Sequence, residues 1–281
     1  MAAGFHAIVL AAGRGPDDPM AKAYGVSHKC TLPVGGVPML KRVVDALRNS
    51  PSISAISVAV ERGDVADLAM GTTAHGLAIV GSENSAPRSA LKVITGNGAY
   101  PFLITTADHA LLTPEMVEFF CAEAESNGAD FSAGLATADV ILKAYPQSVR
   151  TFFRLGQDRV SGCNLFAVQN EKGLRILERW QYLESVRKKP WRLVAAFGPA
   201  ALIRFLAGML SLAAAFTIVS RRLEMVIKPV LMPFAEAAID VDKPADLELA
   251  ETILKNRLPL TSSQPDALPA AGRPENPLHT I

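Results

Sequence analysis

Two kinds of residue in this 281-residue chain have the types and spacing to do chemistry: small residues and cations near the N-terminus, and carboxylates at the ends of apolar runs. Leu10-Ala11-Ala12-Gly13-Arg14-Gly15 places small side chains where a phosphate chain can approach the backbone. Its glycines let N–H groups turn toward one point, a nest for anion oxygens. Arg14, Lys22 and Lys29 supply the positive charge that a triphosphate needs. Alone, a Gly-x-Gly loop is equally compatible with an ordinary tight turn. Asp108 follows the apolar run Phe102-Leu103-Ile104-Thr105, at the carboxyl end of a predicted buried strand, where open α/β sheets bind ligands. Thr113 is placed to cap the next helix, so an ionised Asp108 needs another partner, and Mg²⁺ on phosphate oxygens is a natural one. Asp240 and Asp242 alternate in Ile239-Asp240-Val241-Asp242, which along a strand would turn both carboxylates to one face. Asp242 is equally placed to begin a helix cap; Asp240 is not.

Several familiar sites are excluded. A dinucleotide fingerprint wants a glycine at position 18, which is Asp18, and no Gly-Lys-Ser/Thr run completes a P-loop. His28-x-Cys30 has no second pair at zinc-ligand spacing. No Ser-His-Asp or Cys-His constellation is evident.

Leu10 to Gly15, then Lys29, then Leu32-Pro33-Val34-Gly35-Gly36-Val37-Pro38-Met39-Leu40 together resemble the nucleotidyltransferase superfamily of GT-A-like fold, the MobA-like NTP transferases. That group includes the molybdenum cofactor guanylyl- and cytidylyltransferases and the sugar-phosphate nucleotidyltransferases. The likeness covers residues 7–48 and resumes at Leu103 to Pro114 and Ile239 to Leu254. It implies that Leu10, Ala11, Ala12, Gly13, Arg14 and Gly15 hold the triphosphate and that Lys29 steadies charge on the α-phosphate. It further implies Asp108 and Asp240 as metal ligands, with Lys29 and Asp108 carrying catalysis. Ser89, in Arg88-Ser89-Ala90-Leu91, resembles the stretch that reads base and ribose, an exposed helix start being the equal alternative. Asn164, in Gly162-Cys163-Asn164-Leu165, falls in the region facing the acceptor. Gly15-Pro16-Asp17-Asp18-Pro19-Met20 departs from the family's Gly-x-Gly-x-Arg-Met, leaving Arg14 or Lys22 to replace its phosphate-binding arginine. His28 stands where the family usually has proline.

The reaction so implied is Mg²⁺-dependent transfer of a nucleoside monophosphate from an NTP, CTP or GTP, to a small phosphorylated or lipid-linked acceptor, with release of pyrophosphate. A phosphate monoester is mostly ionised at neutral pH, its second pKa being ~6, so no general base is required. One rival is a GT-A glycosyltransferase, which would show two acids spaced by one where Asp108 is followed by His109 and Ala110. The other is a non-catalytic nucleotide-binding protein, which the altered stretch from Pro16 to Met20 would allow.

These residues need elements to position them. Ala7 to Leu10 reads as a central strand and 13–36 as a long functional loop. Pro38 begins a helix bearing Met39, Leu40, Val43, Val44 and Leu47. Strands are predicted at Ala55 to Val60, Leu77 to Val80 and Phe102 to Thr105, and helices at Asp64 to Met70 and from Pro114 to a stop at Asn127-Gly128. This alternation predicts an α/β fold, a three-layer α/β/α arrangement on a mostly parallel sheet. After Asp130 the pattern loosens, with strands at Val160 to Val168, Val226 to Met232 and Ala237 to Val241, and helices at Glu171 to Val186 and Pro244 to Lys255. The expected organisation is one domain over 1–258 with a helical insertion at about 171–223. The proline-rich tail 259–281 is expected to be disordered.

Formal net charge is +1, which gives nucleic acid no global field to follow. Three scattered cysteines imply no disulfide framework and, with Ala7 to Ala12 reading as a strand in place of a signal peptide, a cytoplasmic setting. Leu193 to Ser220 is apolar but split by Arg204, short of the ~18 uninterrupted apolar residues of a span, and Gly198-Pro199 and Gly208 suggest two short helices. A hairpin packed on the core or on a second subunit of a homo-oligomer is one reading. The other is peripheral membrane contact through 187–220, with Trp191 and the basic run Arg187 to Arg192 at the headgroups.

Overall fold

The computed structural model describes residues 4–13, 17–186 and 198–257, apart from the side chains of 72, 73, 97, 181–186 and 199–201. The strands are β1 (Phe5–Leu10), β2 (Pro33–Val34), β3 (Val37–Pro38), β4 (Ile53–Val60), β5 (Ala78–Gly81), β6 (Phe102–Thr106), β7 (Phe131–Thr137), β8 (Phe153–Leu155), β9 (Asp158–Val168) and β10 (Ile227–Leu231). The helices are α1 (Pro19–Tyr24), α2 (Met39–Arg48), α3 (Gly63–Met70), α4 (Ala86–Asn97), α5 (Pro114–Ser126), α6 (Ala138–Ala144), α7 (Leu174–Val186), α8 (Pro199–Leu206), α9 (Leu212–Leu223) and α10 (Pro244–Arg257).

One sheet runs β10-β7-β9-β6-β1-β4-β5, with β8 paired to β9. The strands β6, β1, β4 and β5 are parallel to one another, and β10 is parallel to β7. β9 is antiparallel to β6, β7 and β8. The expected α/β class on a mostly parallel sheet holds, with helices on both faces. The apolar run Ala7 to Leu10 of β1 is largely buried because each face meets a separate core: Ala7 and Val9 pack with α2, and Ile8 packs with α4.

The expected loop 13–36 is more ordered than its composition suggests. Asp18 accepts from the amides of Met20 (2.9 Å) and Ala21 (3.3 Å), and Pro19 starts the helix, so α1 forms where a structureless stretch was expected. Gly35 and Gly36, with φ of +57° and +77°, turn the β2–β3 hairpin, the geometry that a two-residue hairpin needs. A Cβ at Gly35 would stand 3.0 Å from the Arg42 guanidinium, whose Nε donates to the Val34 carbonyl and pins the hairpin to α2. Pro38 belongs to β3, and α2 begins one residue later at Met39.

Three differences concern the second half. β7, α6 and β8 went unpredicted because Phe131-Ser-Ala-Gly-Leu-Ala-Thr137 is small and weakly apolar. Its glycine has a packing reason, since a Cβ at Gly134 would meet Leu165 Cβ at 3.2 Å. The expected strand at Ala237 to Val241 is absent: Ala235–Ala238 form a 3-10 turn, and the following chain is tied to the loop after β6 by Val241 N–H donating to the Asp108 carbonyl at 3.0 Å. Residues 171–186 divide into a 3-10 turn, Glu171–Gly173, and α7. In the 193–220 stretch, α8 starts at Gly198-Pro199, ends before Gly208 and is followed by α9, as the glycines suggested. No helix among the described residues is long and apolar enough to cross a membrane. The basic run 187–192, the remainder of 187–197 and the tail 259–281 lie outside the described residues.

Candidate functional site

The site lies at the carboxyl ends of β1, β4 and β6. Ala11 N–H donates to the Ala59 carbonyl (2.8 Å) and Ala107 N–H to the Leu10 carbonyl (3.0 Å), so the loops after β1 and β6 leave the sheet together. Register places Leu10 beside Thr106, and two residues on stands Asp108.

Lys29 reaches this edge from the other side of the chain's first loop. It opens a 3-10 turn, Lys29–Thr31, followed by Leu32, Val34 and Met39, all essentially buried against Ile239, Val241 and Leu247. That shared core brings the loop and the 239–242 segment together across more than 200 residues of sequence. Lys29 Nζ consequently lies 2.8 Å from Asp108 Oδ2 and 2.5 Å from Asp242 Oδ1. Thr106 Oγ1 donates to the other Asp108 oxygen at 2.6 Å. Burial lowers the Lys29 pKa, but Asp108 and then Asp242 outweigh it, leaving the ammonium raised and firmly charged. Burial pushes the Asp108 carboxyl up; Lys29, Thr106 and His109 outweigh it and hold that carboxyl below its ordinary value.

Asp240 has a different partner set. Arg150, its side chain only 8% exposed, donates from Nη1 to Asp240 Oδ1 (2.5 Å) and from Nη2 to Asp246 Oδ1 (3.1 Å). Asn164, held in the left-handed region at φ +49°, donates from Nδ2 to the other Asp240 oxygen at 3.4 Å. Burial, then Asp108 and Asp242, push the Asp240 carboxyl up to about 6, more than Arg150 lowers it. Asp246 Oδ2 accepts from the backbone N–H groups of Asp242 (3.2 Å) and Lys243 (3.0 Å), so α10 is capped by Asp246 reaching back. This leaves the Asp242 carboxylate to Lys29 and settles its alternative role.

Asp108, Asp240 and Asp242 each offer one carboxylate oxygen, all within 4.8 Å of one another. Hard oxygen donors at that spacing could hold a single divalent cation. Lys29, paired with Asp108 and Asp242, and Arg150, paired with Asp240, partly neutralise the three carboxylates.

A cleft of about 530 Å³ opens in front of this cluster, lined by Leu10, Ala11, Ala12, Gly13, Lys29 and Asp108, and on its far wall by Glu83, Asn84, Ser85 and Ser89. Ser89 is 1% exposed; its hydroxyl accepts from Glu83 N–H (2.8 Å) and donates to the Ser85 carbonyl (3.1 Å), so it shapes the 83–85 wall and is not an exposed helix start. Asn164 borders a second cleft that meets the first at Asp108. Lys22 is brought to neither cleft: its ammonium pairs with Asp17 at 3.0 Å on the exposed surface. Arg14 and Gly15 lie outside the described residues.

Sequence reasoning missed three participants. Arg150 precedes β8 in a stretch without periodicity, and nothing local marks it. Thr106 was hidden as the last residue of an apolar strand. Glu61, just past β4, accepts from Gly13 N–H at 2.5 Å, while its other oxygen is buried without a hydrogen-bond partner. An acid after the second parallel strand is a signal that topology alone makes meaningful.

A mostly parallel sheet with a glycine loop, a lysine and converging carboxylates at its carboxyl edge has these groups where open α/β sheets bind ligands. The MobA-like NTP transferase domain matches residues 7–154, more than half of the chain, and the chain belongs to that family of nucleotidyltransferases. No curated protein matches it. Among solved structures, a hypothetical transferase from Thermus thermophilus superposes with a TM-score of 0.72 at 24% identity, covering 87% of this chain and 99% of that one. A CMP:2-keto-3-deoxy-manno-octonic acid synthetase complexed with CTP follows at 0.56 and 14% identity, with 91% and 100% covered. The 2-C-methyl-D-erythritol 4-phosphate cytidylyltransferase of Thermus thermophilus gives 0.51 at 15%, with 90% and 99% covered. At these identities the likenesses establish the fold.

Proposed function

We propose that the chain transfers a nucleoside monophosphate from an NTP, CTP or GTP, to a small phosphorylated acceptor and releases pyrophosphate, with Mg²⁺ as cofactor. The observation that carries this reading is Lys29 and Asp108 in contact at 2.8 Å at the mouth of the Gly13 cleft, where one polyphosphate can touch both. Leu10, Ala11, Ala12 and Gly13, with Arg14 and Gly15, would cradle the β- and γ-phosphates. Asp108 and Asp240, joined by Asp242, would hold the metal, which supplies charge neutralisation to the phosphates when bound.

An ionised oxygen of the acceptor phosphate attacks the α-phosphorus in line. The new P–O bond forms as the bond to the β-phosphate oxygen breaks, and pyrophosphate leaves with the electron pair. Lys29 exchanges its carboxylate partners for the α-phosphate oxygens and stabilises charge there. Ser89 fixes the wall against which base and ribose lie, and Asn164 faces the acceptor.

The full-length chain is incubated with each of the four NTPs and a panel of phosphate monoesters, with and without Mg²⁺, and pyrophosphate is measured. Release that needs both an acceptor and Mg²⁺ is expected with CTP or GTP. Saturable NTP binding with no pyrophosphate from any combination would sink the reading. It would favour a nucleotide-binding protein without turnover.

A further inference from the structure

We infer that the acceptor is a phosphate monoester with an apolar body, which lies on the Trp180 side of the second cleft. The inference rests on the transfer reading above. This cleft, about 380 Å³, shares Leu10, Ala12, Ala86 and Asp108 with the first, so ligands in the two meet at Asp108.

Its two ends differ in chemistry, and the strands show why. On β9 both Phe166 and Asn164, the latter at its left-handed φ of +49°, line this cleft. On β6, Thr106 and Ile104 do the same, and Ile104 is paired directly with Phe166. The polar members, Thr106 and Asn164, lie with Asp108, Asp240 and Asp242 at the carboxylate end. The apolar members, Ile104 and Phe166, lead away from it and are joined by Leu177 and Trp180 of α7. Trp180 stands edge-on to Phe166 with ring centroids 4.5 Å apart, so its ring is set by packing. α4 closes the same wall with Pro87 and Ala90.

A phosphate reaching the α-phosphorus must occupy the carboxylate end, bridged by cations. Whatever the phosphate is attached to must then extend over the half-buried rings of Phe166 and Trp180, in a wall that also contains the buried Ile104 and Leu177. A polyol body would set hydroxyls against the two aromatic rings, each unpaired hydroxyl costing about tenfold in affinity or more. An alkyl, isoprenoid or aromatic body meets no such cost. The wall therefore selects amphiphilic phosphates over sugar phosphates.

Calorimetric titration of the full chain in Mg²⁺ with octyl phosphate below self-association, glycerol 3-phosphate and inorganic phosphate tests this. Octyl phosphate is expected to bind about tenfold more tightly than the other two. Trp180→Ala should erase that preference while leaving inorganic phosphate binding unchanged, and Trp180→Phe should retain most of it. Equal or tighter binding of glycerol 3-phosphate, or a preference untouched in Trp180→Ala, overturns the inference. Vesicles of phosphatidylcholine with phosphatidic acid separate the two sources of such a ligand: Trp180-dependent co-sedimentation assigns a membrane-held acceptor, and octyl phosphate binding without co-sedimentation assigns a free one. Either supports the inference. The two readings fail separately. A Trp180-dependent preference without pyrophosphate release from any NTP removes the transfer reading alone, whereas release with glycerol 3-phosphate but not octyl phosphate removes the inference alone.

Discussion

Asp108 and Asp240 belong to one carboxylate cluster, each has a cation partner, and their proton affinities move in opposite directions. Asp108 meets Lys29 through one oxygen and Thr106 through the other, and both partners favour its charged form. Asp240 has Arg150 at 2.5 Å, yet burial and two neighbouring carboxylates leave it at about 6. One cation within reach is thus not enough when a carboxylate is buried beside like charges. Asp108 is the charge already compensated in the metal-free protein, and on the proposed reading Asp240 is the one that would gain most from a divalent ion.

The largest effect should come from Asp108→Asn, which removes the proposed metal ligand and the Lys29 partner together. Pyrophosphate release should fall on the order of a thousandfold with the thermal transition of the protein largely kept. A surviving rate would break the assignment of Asp108 as the centre of the site. Lys29→Met should lower turnover about a hundredfold while strengthening metal binding, because Lys29 Nζ occupies two of the three carboxylates. Mn²⁺ titration by electron paramagnetic resonance, without nucleotide, checks the second half. Weaker Mn²⁺ binding in Lys29→Met would mean that the ammonium organises the cluster and does not compete for it.

The Asp240 side of the comparison predicts a pH dependence. Below about 6 its proton must leave before a metal binds, so apparent Mn²⁺ affinity should fall up to about tenfold per unit of acidification there. Arg150→Met removes the cation that lowers this pKa, so the midpoint of the profile should move above that of the unaltered protein. An unmoved midpoint would separate Arg150 from the electrostatics of the site.

The smallest expected effect is on stability. His109 is fully buried, and burial first of all holds its pKa down at about 4. Between its ordinary value near 6.5 and 4, the unfolded chain takes up a proton that the folded chain does not, so stability is lost as pH falls. Asp240 works in reverse: the folded chain holds its proton more tightly, so its contribution is lost as pH rises through about 6. The two windows overlap, and metal-free protein should show a nearly level melting temperature between pH 6 and 4.5. Asp240→Asn removes the offset and should expose acid lability, which differential scanning calorimetry reads directly.

The nucleotide side of the molecule was legible because its pieces are local. A short apolar strand, a glycine loop and an Asp at a strand end each carry their meaning within a few residues. Asp18-Pro19 was equally local, a cap followed by a first-turn proline, and could have revealed α1. The Arg150, Asn164 and Asp240 side was only half legible. β7 is built largely of small residues whose value lies in close packing, and the chain at 239–242 brings its carboxylates to Lys29 and Arg150 without being a strand.

The sequence by itself determined the class of fold and the residue types at the reacting edge, since hydrophobic periodicity, caps and glycine turns act over short distances. Tertiary structure alone decided the partners: Lys29 with Asp242, Arg150 with both Asp240 and Asp246, Gly13 with Glu61. Those pairings join residues far apart in the chain, and their proton affinities depend on burial and neighbouring charge, quantities that exist only once the core has closed.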